Sequence, residues 1–511
     1  MNMGTLVPRH ARYRGDHLAL VCGNTRLTWR ELGARVNRLA NALHALGLRK
    51  GDKLAVVMPN CLEVLEIYWA SVQMGLVLVP LSPLLRGPAL ATLLCDSHTA
   101  AVITSHDLAT ELDAIRAEVP GVRVDRWIAI GEKTSGYQSF HELTASASDG
   151  PPPVVEIEGS HHFNIVYSSG TTGSPKGIVH THDIRAMYCT LFSSIFRFTP
   201  ESVVMHAGSL VFNGAFVTLM PALFLGTTYV LLSRFDPVEF IETVAREKVT
   251  HVMMVPSQIV AVMNAPNFSA AKLASLQMLG SVGAPLHGEH KDRLMTALPN
   301  VFYELYGLTE GVITILDRTD VARKAHSVGA ATPFFEMRIM SDDGRDLPPG
   351  EVGEIVGRSP LLMPGYYERP DLTAQAIVDG WMHTGDMGYM DEDGYLYLVD
   401  RKKDLIISGG VNVYPKDIEE VVVTHPDVLE TAVFGVPDEK WGEAPLAAVV
   451  LKRGAQVTAA ELRAWVNERV AARYQQVREI AIMQEFPRNA AGKTLKRVMR
   501  DEYWQGRTVR I

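Results

Sequence analysis

Residues 167–182 read Tyr-Ser-Ser-Gly-Thr-Thr-Gly-Ser-Pro-Lys-Gly-Ile-Val-His-Thr-His. Four hydroxyl side chains, Ser168, Ser169, Thr171 and Thr172, alternate with Gly170 and Gly173, and Lys176 follows. The apolar run Phe163 to Tyr167 before them reads as a strand. A loop of this composition can turn many backbone N–H groups and hydroxyls toward one anion, because glycine permits positive φ and close approach. Lysine adds a point charge suited to phosphate. The plain alternative is a flexible Gly/Ser linker, but linkers seldom end in Pro-Lys-Gly and pass at once into an apolar segment. A Walker A loop needs Gly-Lys-Ser/Thr at its end, so that a helix starts beside the lysine; here Pro175 and Gly177 flank Lys176. A Rossmann fingerprint fails as well, since Gly170 and Gly173 lack the G-x-G-x-x-G spacing.

At 511 residues the chain is too long for one core, and one large plus one small domain are expected. Hydrophobic residues at 47% and charged residues at 21% are ordinary for a globular enzyme. A net charge of −8 argues against a general nucleic-acid or anionic-membrane partner. The four cysteines, Cys22, Cys61, Cys95 and Cys189, are scattered without metal or disulfide spacing, which fits a reducing, cytoplasmic setting. Arg9, Arg12, Arg14 and Asp16 precede any apolar run, so no signal peptide is expected. Residues 214–233 lack charge and approach a membrane span in length. Pro221, Gly226, Thr227 and Thr228 interrupt them, so a buried helix ending at Gly226 and a core strand Tyr229 to Leu232 are expected instead.

Thr28 and Glu31 form a capping box before a helix whose apolar face is Leu32, Val36, Leu39, Leu43 and Leu46, stopping near Gly47. Strand Leu54 to Met58, helix Cys61 to Met74 and strand Leu76 to Leu81 make a βαβ unit, with a further strand at Ala100 to Thr104. The alternation recurs at Tyr229 to Leu232, Pro237 to Glu247 and His251 to Val255. It predicts an α/β fold of largely parallel sheets covered by helices. From about Gly350 the pattern turns to short strands. Beyond Lys403 a compact α+β module is expected, with a helix from Pro415 to Val423, strands at 429–436 and 446–451, a helix capped by Thr458 and Glu461 to about Val470, and a last strand Glu479 to Met483.

Further constellations carry chemistry. Tyr306-Gly307-Leu308-Thr309-Glu310 follows an expected strand, Val301 to Leu305. A ring, a tight turn, a hydroxyl and a carboxylate could stack a base, bond a phosphate and hold a cation; magnesium needs only one or two carboxylates beside phosphate oxygens. A strand-end turn explains the pentapeptide equally well. Asp386, in Trp-Met-His-Thr-Gly-Asp (381–386), could accept hydrogen bonds from two ribose hydroxyls or be a plain turn residue. Asp400-Arg401-Lys402-Lys403-Asp404 is a charge run, commonly a solvated face, but it lies between the two patterns and is a candidate hinge.

Together with Gly-Gly at 409–410 and Gly-Lys-Thr at 492–494, these motifs resemble, in order and over roughly residues 25–500, the adenylate-forming enzymes: acyl-CoA synthetases, luciferases and peptide-synthetase adenylation domains. The resemblance implies a large N-terminal domain, 1–402, with a small barrel-like region, and a mobile C-terminal domain, 403–511, pivoting at Lys403. It implies ATP contacts from Ser168, Ser169, Gly170, Thr171, Thr172, Gly173 and Lys176, from Gly283, Ala284 and Pro285, and from Tyr306, Gly307, Thr309, Asp386 and Arg401. Within these, Tyr306 would stack adenine, Thr309 touch the α-phosphate and Glu310 bind Mg²⁺. Lys493 would bridge the carboxylate and α-phosphate, so the implied catalytic set is Lys493, Lys176, Thr309 and Glu310.

Coenzyme A is the favoured acceptor. Pro437 to Glu443 resembles a segment of stand-alone CoA ligases whose tryptophan, here Trp441, lies near CoA; Gly409 and Gly410 would pass the thiol arm, and Arg86 could touch a CoA phosphate. One departure stands out: relatives carry Tyr-Lys-x-Pro where this chain has Tyr474-Gln475-Gln476-Val477, leaving Arg473 or Arg478 as substitutes. Phe212, Asn213, Gly214, Val282 and Gly283 would line the acid pocket, with Val282 where the family has glycine. A β-branched wall there, and no lysine or arginine within these segments, predict a compact hydrophobic monocarboxylate. An adenylating enzyme with a carrier-protein or luciferase-like acceptor is the neighbouring alternative, and a zinc scaffold using His161, His162, His180 and His182 the remote one, lacking tetrahedral spacing with cysteines. The partners implied are a small carboxylic acid, ATP and CoA, without nucleic acid or integral membrane association, in a monomer or homodimer.

Overall fold

The computed structural model describes residues 1–168, 176–401, 404–408, 411–438, 441–488 and 494–505. Two mostly parallel sheets dominate the first part. One runs in the order Gln138–Ser139, Trp127–Ile130, Thr99–Ser105, Lys53–Val57, Val77–Leu81, His162–Ser168, Lys176–Thr181, with only the last pair antiparallel. The other has nine strands. Its parallel centre runs Leu18–Cys22, Thr228–Leu231, Val203–His206, His251–Met254, Met278–Val282, Phe302–Gly307, and antiparallel strands close both edges.

Side chains on a strand alternate between faces, and the burial follows that alternation. Leu54 and Val56 join one core, while Ala55 and Val57 join another on the far side of the same strand. On the nine-stranded sheet, Leu20, Val204 and Met253 face the shared core, and Val21, Met205, Val252 and Met254 face away. The shared core also takes in the helices Trp29–Ala45, Leu62–Met74, His182–Ile195 and Asn213–Leu225. These helices are therefore sandwiched between two sheets, which is why Leu62–Met74 is apolar on nearly every side and buried along almost all its length.

Several local signals are realised as read. Thr28 and Glu31 form both bonds of the capping box. The uncharged stretch folds as the buried helix Asn213–Leu225, ends on Gly226 in the left-handed conformation, and leads into the strand Thr228–Leu231. No helix among the described residues is long and apolar enough to cross a membrane. The helix capped by Thr458 ends at Asn467, shorter than the periodicity suggests.

A five-stranded antiparallel sheet covers residues 336–401. After it comes a separate sheet built from Ile406–Ser408, Val411–Val413, Val428–Asp438, Gly442–Leu451 and Glu479–Met483. Ile406, Val433, Ala447, Val449 and Ile480 form its own core with Ile418 and Leu462 from two helices. This part touches the preceding one through polar contacts: the His287 ring with Glu420 at 3.1 Å, and Lys416 donating to the Leu398 carbonyl at 2.8 Å.

Candidate active site

In open parallel sheets, ligands sit beyond the carboxyl ends of the strands, and Lys176, Tyr306, Glu310 and Asp386 gather there. The strands His162–Ser168 and Lys176–Thr181 pair antiparallel, with Ser168 opposite Lys176. The hydroxyl-rich loop thus joins two bonded strands, and no helix begins at Lys176. Ser169, Gly170, Thr171, Thr172 and Gly173 lie outside the described residues, and Ser168 is described by its backbone alone.

Beside that loop, Tyr367 N–H donates to the Gly177 carbonyl at 2.7 Å and Ile178 bridges Tyr366. This brings the Tyr366 ring under Lys176, whose Nζ stands 5.1 Å from the ring centroid, a cation–π contact. The Tyr366 hydroxyl donates to Glu310 Oε1 at 2.9 Å. One ring therefore carries the loop's lysine and the candidate metal carboxylate together. Burial pushes the Glu310 carboxyl above its ordinary range; the Tyr366 hydroxyl and the Lys176 charge pull against that, and Asp386 adds to it. A partly desolvated carboxylate gains more from a cation than an exposed one does.

Glu310 sits at the tip of a hairpin. The strand Phe302–Gly307 pairs antiparallel with Ile313–Leu316, and Leu308 N–H bonds the Val312 carbonyl across the turn. Gly311 has φ +115, and a Cβ there would strike the Leu361 carbonyl oxygen at 2.2 Å, so this position takes only glycine. Met363 N–H and Ser359 Oγ clamp the Glu310 and Gly311 carbonyls at 2.8 and 2.6 Å. Thr309 is fixed from behind, its carbonyl bonded to His180 Nε2 at 2.9 Å.

On the strand side of the same hairpin, Tyr306 donates its hydroxyl to Asp386 Oδ2 at 2.8 Å, and both are buried. Asp386 and Arg401 are cross-strand partners, although only the backbone of Arg401 is described. Gly283 leaves the end of Met278–Val282 with φ +91, and Ala284 and Pro285 follow it on the same edge. Phe212 caps the N-terminus of the helix Asn213–Leu225. A Cβ on Gly214 would lie 3.7 Å from Val282 Cγ1, so the candidate acid-pocket residues face one another.

Beyond residue 402, Gly409 and Gly410, Lys403 and Lys493 lie outside the described residues. Their flanks are described. Ser408 pairs with Gly442, which sets Trp441, about half exposed, beside the strand leading into the two glycines. Arg488 and Thr494 form a bridge at the two ends of the Lys493 segment. Arg478 donates to the Pro437 carbonyl at 2.7 Å, near Trp441 in sequence and sheet. Arg86 pairs with Glu111 and its own loop carbonyls, an arrangement any surface arginine could have.

Two residues near the site carry no motif. Tyr366 is one. Arg185 is the other: it is fully buried, with its guanidinium bonded to Asn164, His180 and Asn213. Burial lowers it to about 10, so it stays charged at neutral pH. The sequence signal lies in helical spacing, since Arg185 shares a face with Tyr188, Cys189, Phe192 and Phe196. The candidate pocket segments contain no cation of their own, but the fold brings one against Asn213.

The AMP-binding enzyme profile matches residues 7–367, and that of the AMP-binding enzyme C-terminal domain matches 417–493. The chain is 35% identical to a feruloyl-CoA synthase of an Amycolatopsis species, covering 98% of this chain and 99% of that one. It is also 35% identical to the long-chain-fatty-acid–CoA ligase FadD13 of Mycobacterium tuberculosis, over 94% of each. The crystal structure of ATP-bound MatB from Rhodopseudomonas palustris superposes with a TM-score of 0.89 at 30% identity, covering 99% of both chains.

Proposed function

The chain belongs to the AMP-binding enzyme family and is an ATP-dependent acyl-CoA ligase working through an acyl-adenylate, and we propose that its acid is a compact hydrophobic monocarboxylate. Aromatic, alicyclic and short-to-medium aliphatic acids fit that description. The observation that supports the proposal is that Val282 Cγ1 lies 3.7 Å from the position of a Cβ on Gly214; a branched side chain at a pocket wall would shorten or narrow the cavity.

The roles of the residues follow from the chemistry. A carboxylate is a poor electrophile, and joining it to AMP supplies a leaving group. Its oxygen attacks the α-phosphorus, and the bond to pyrophosphate breaks. The difficulty is holding an anion against a polyanion, so positioning and fixed positive charge dominate. Lys493 is assigned to the carboxylate and α-phosphate oxygens; one such contact at ~4 Å and an effective dielectric of ~20 corresponds to about 4 kcal/mol. Lys176 and the hydroxyl loop take the departing pyrophosphate. Tyr306 and Asp386 hold adenine and ribose. A magnesium ion suits Glu310, where a single partly buried carboxylate leaves the remaining positions to phosphate oxygens; when bound it would neutralise phosphate charge. The CoA thiol then attacks the carbonyl carbon and AMP leaves. Rotation of residues 403–511 about Lys403 would exchange Lys493 for Gly409 and Gly410 between the steps, closing water out first and admitting the thiol afterwards.

The test is pyrophosphate release across a panel of acids, with mass detection of the thioester when CoA is supplied. Preference for compact monocarboxylates is expected. Preference for long-chain fatty acids or dicarboxylates would overturn the assignment, and the relative named for long chains makes chain length the sharpest arm of the panel.

A further inference from the structure

Buried charges in proteins are ordinarily paired. Arg185 has no carboxylate partner among the described residues, and its Nη1 is buried without a hydrogen bond. Among the described residues, its positive charge is met by neutral groups. Nε and Nη2 share Asn164 Oδ1, each at 3.1 Å, and Nη2 also reaches His180 Nδ1 at 3.2 Å and Asn213 Oδ1 at 2.9 Å. The rings of Phe216 and Tyr188 lie 4.2 and 4.7 Å from its guanidinium carbon.

These bonds fix directions, because arginine only donates. His180 Nδ1 must accept, so Nε2 carries the hydrogen and donates to the Thr309 carbonyl at 2.9 Å. Asn213 must present its oxygen to Arg185, so its amide nitrogen donates to the Tyr188 hydroxyl at 3.0 Å. One guanidinium thus sets the hairpin that leads to Glu310 and the helix start that faces Val282. We propose that Arg185 is a positioning residue that couples the acid wall to the nucleotide hairpin, its unpaired charge offsetting the repulsion between the two anionic reactants. The inference rests on the reading that Asn213 borders the acid and Thr309 the nucleotide.

The test is calorimetric binding of the acid that gives the fastest wild-type pyrophosphate exchange, with and without a non-hydrolysable ATP analogue and Mg²⁺. The quantity read is the factor by which the analogue changes acid affinity. Arg185→Met is expected to lower that factor about tenfold and to melt earlier than wild type, because Asn164, His180 and Asn213 lose their donor. Arg185→Lys keeps the charge but not the fork and should fall between. Asn213→Ala, which cuts only the acid-side link at a partly exposed helix start, should lower the factor too, and it decides the matter if Arg185→Met does not fold. An unchanged factor in folded Arg185→Met or in Asn213→Ala overturns the coupling, even where the variant melts earlier. Absence of exchange with any acid in the wild type would instead sink the functional reading beneath it.

Discussion

Replacing Val282 by glycine should lengthen the acids this enzyme accepts. Val282 closes the strand Met278–Val282 and stands 3.7 Å from the position of a Cβ on Gly214. Its removal deletes three carbons from a wall packed against the shared core. Burying one methylene contributes about 0.8 kcal/mol, which is about fourfold in kcat/KM at 1.36 kcal/mol per decade. Three carbons of new space are worth about 2.4 kcal/mol, or roughly 60-fold, to an acid long enough to fill them. In a straight-chain series assayed by pyrophosphate release, wild-type kcat/KM should climb with each carbon and then break. In Val282→Gly the break should move out by two or three carbons, with acids shorter than the old break little affected. A break at the same length, or a uniform loss across the series, would refute the placement of Val282 as the limiting wall.

Tyr306→Phe keeps the ring but removes the donor to Asp386; a hydrogen bond to a charged group is worth ~1.5–3 kcal/mol, so KM for ATP should rise about tenfold or more while KM for the acid holds, as steady-state kinetics would reveal. Lys493→Ala should lose adenylation by on the order of 10²-fold, yet form thioester from supplied acyl-adenylate nearly as well as wild type; equal loss of both half-reactions, measured separately, would contradict the division of labour. Burial raises the Glu310 carboxyl, and metal binding needs it ionised, so pyrophosphate exchange should fall on acidification before the pH at which an ordinary glutamate protonates. Tyr366→Phe removes a donor that favours the carboxylate and should move that acidic limb further up in a pH–rate profile; an unmoved limb would exclude Glu310 as its source.

Much of the fold was legible because it is written in local chemistry. The capping box at Thr28 and Glu31, the glycine stop at Gly226 and the short continuous apolar runs act over a few residues, and each is found where the pattern puts it. The motif residues Tyr306, Asp386, Lys176 and Glu310 were likewise legible, and the fold brings them together. What escaped depends on long-range pairing. Tyr366 matters only because residues 365–367 run beside the strand Lys176–Thr181, and nothing near Tyr366 in the chain signals that. The antiparallel pairing of Lys176–Thr181 is likewise a property of the sheet rather than of its own sequence. Arg185 belongs to no motif, and its one sequence signal is a charge at helical spacing from Tyr188, Cys189 and Phe192. Its partners Asn164 and Asn213, 21 residues before it and 28 after it, are known only from the fold.

The central claim is that the acid is activated by transfer of adenylate to its carboxylate. Single-turnover reaction of the enzyme with ATP, CoA and a substrate labelled with ¹⁸O in both carboxylate oxygens tests this atom by atom. Attack of the carboxylate on the α-phosphorus, followed by thiolysis, leaves one labelled oxygen in AMP and the other in the thioester carbonyl. Recovery of unlabelled AMP, or of label in inorganic phosphate, would contradict it.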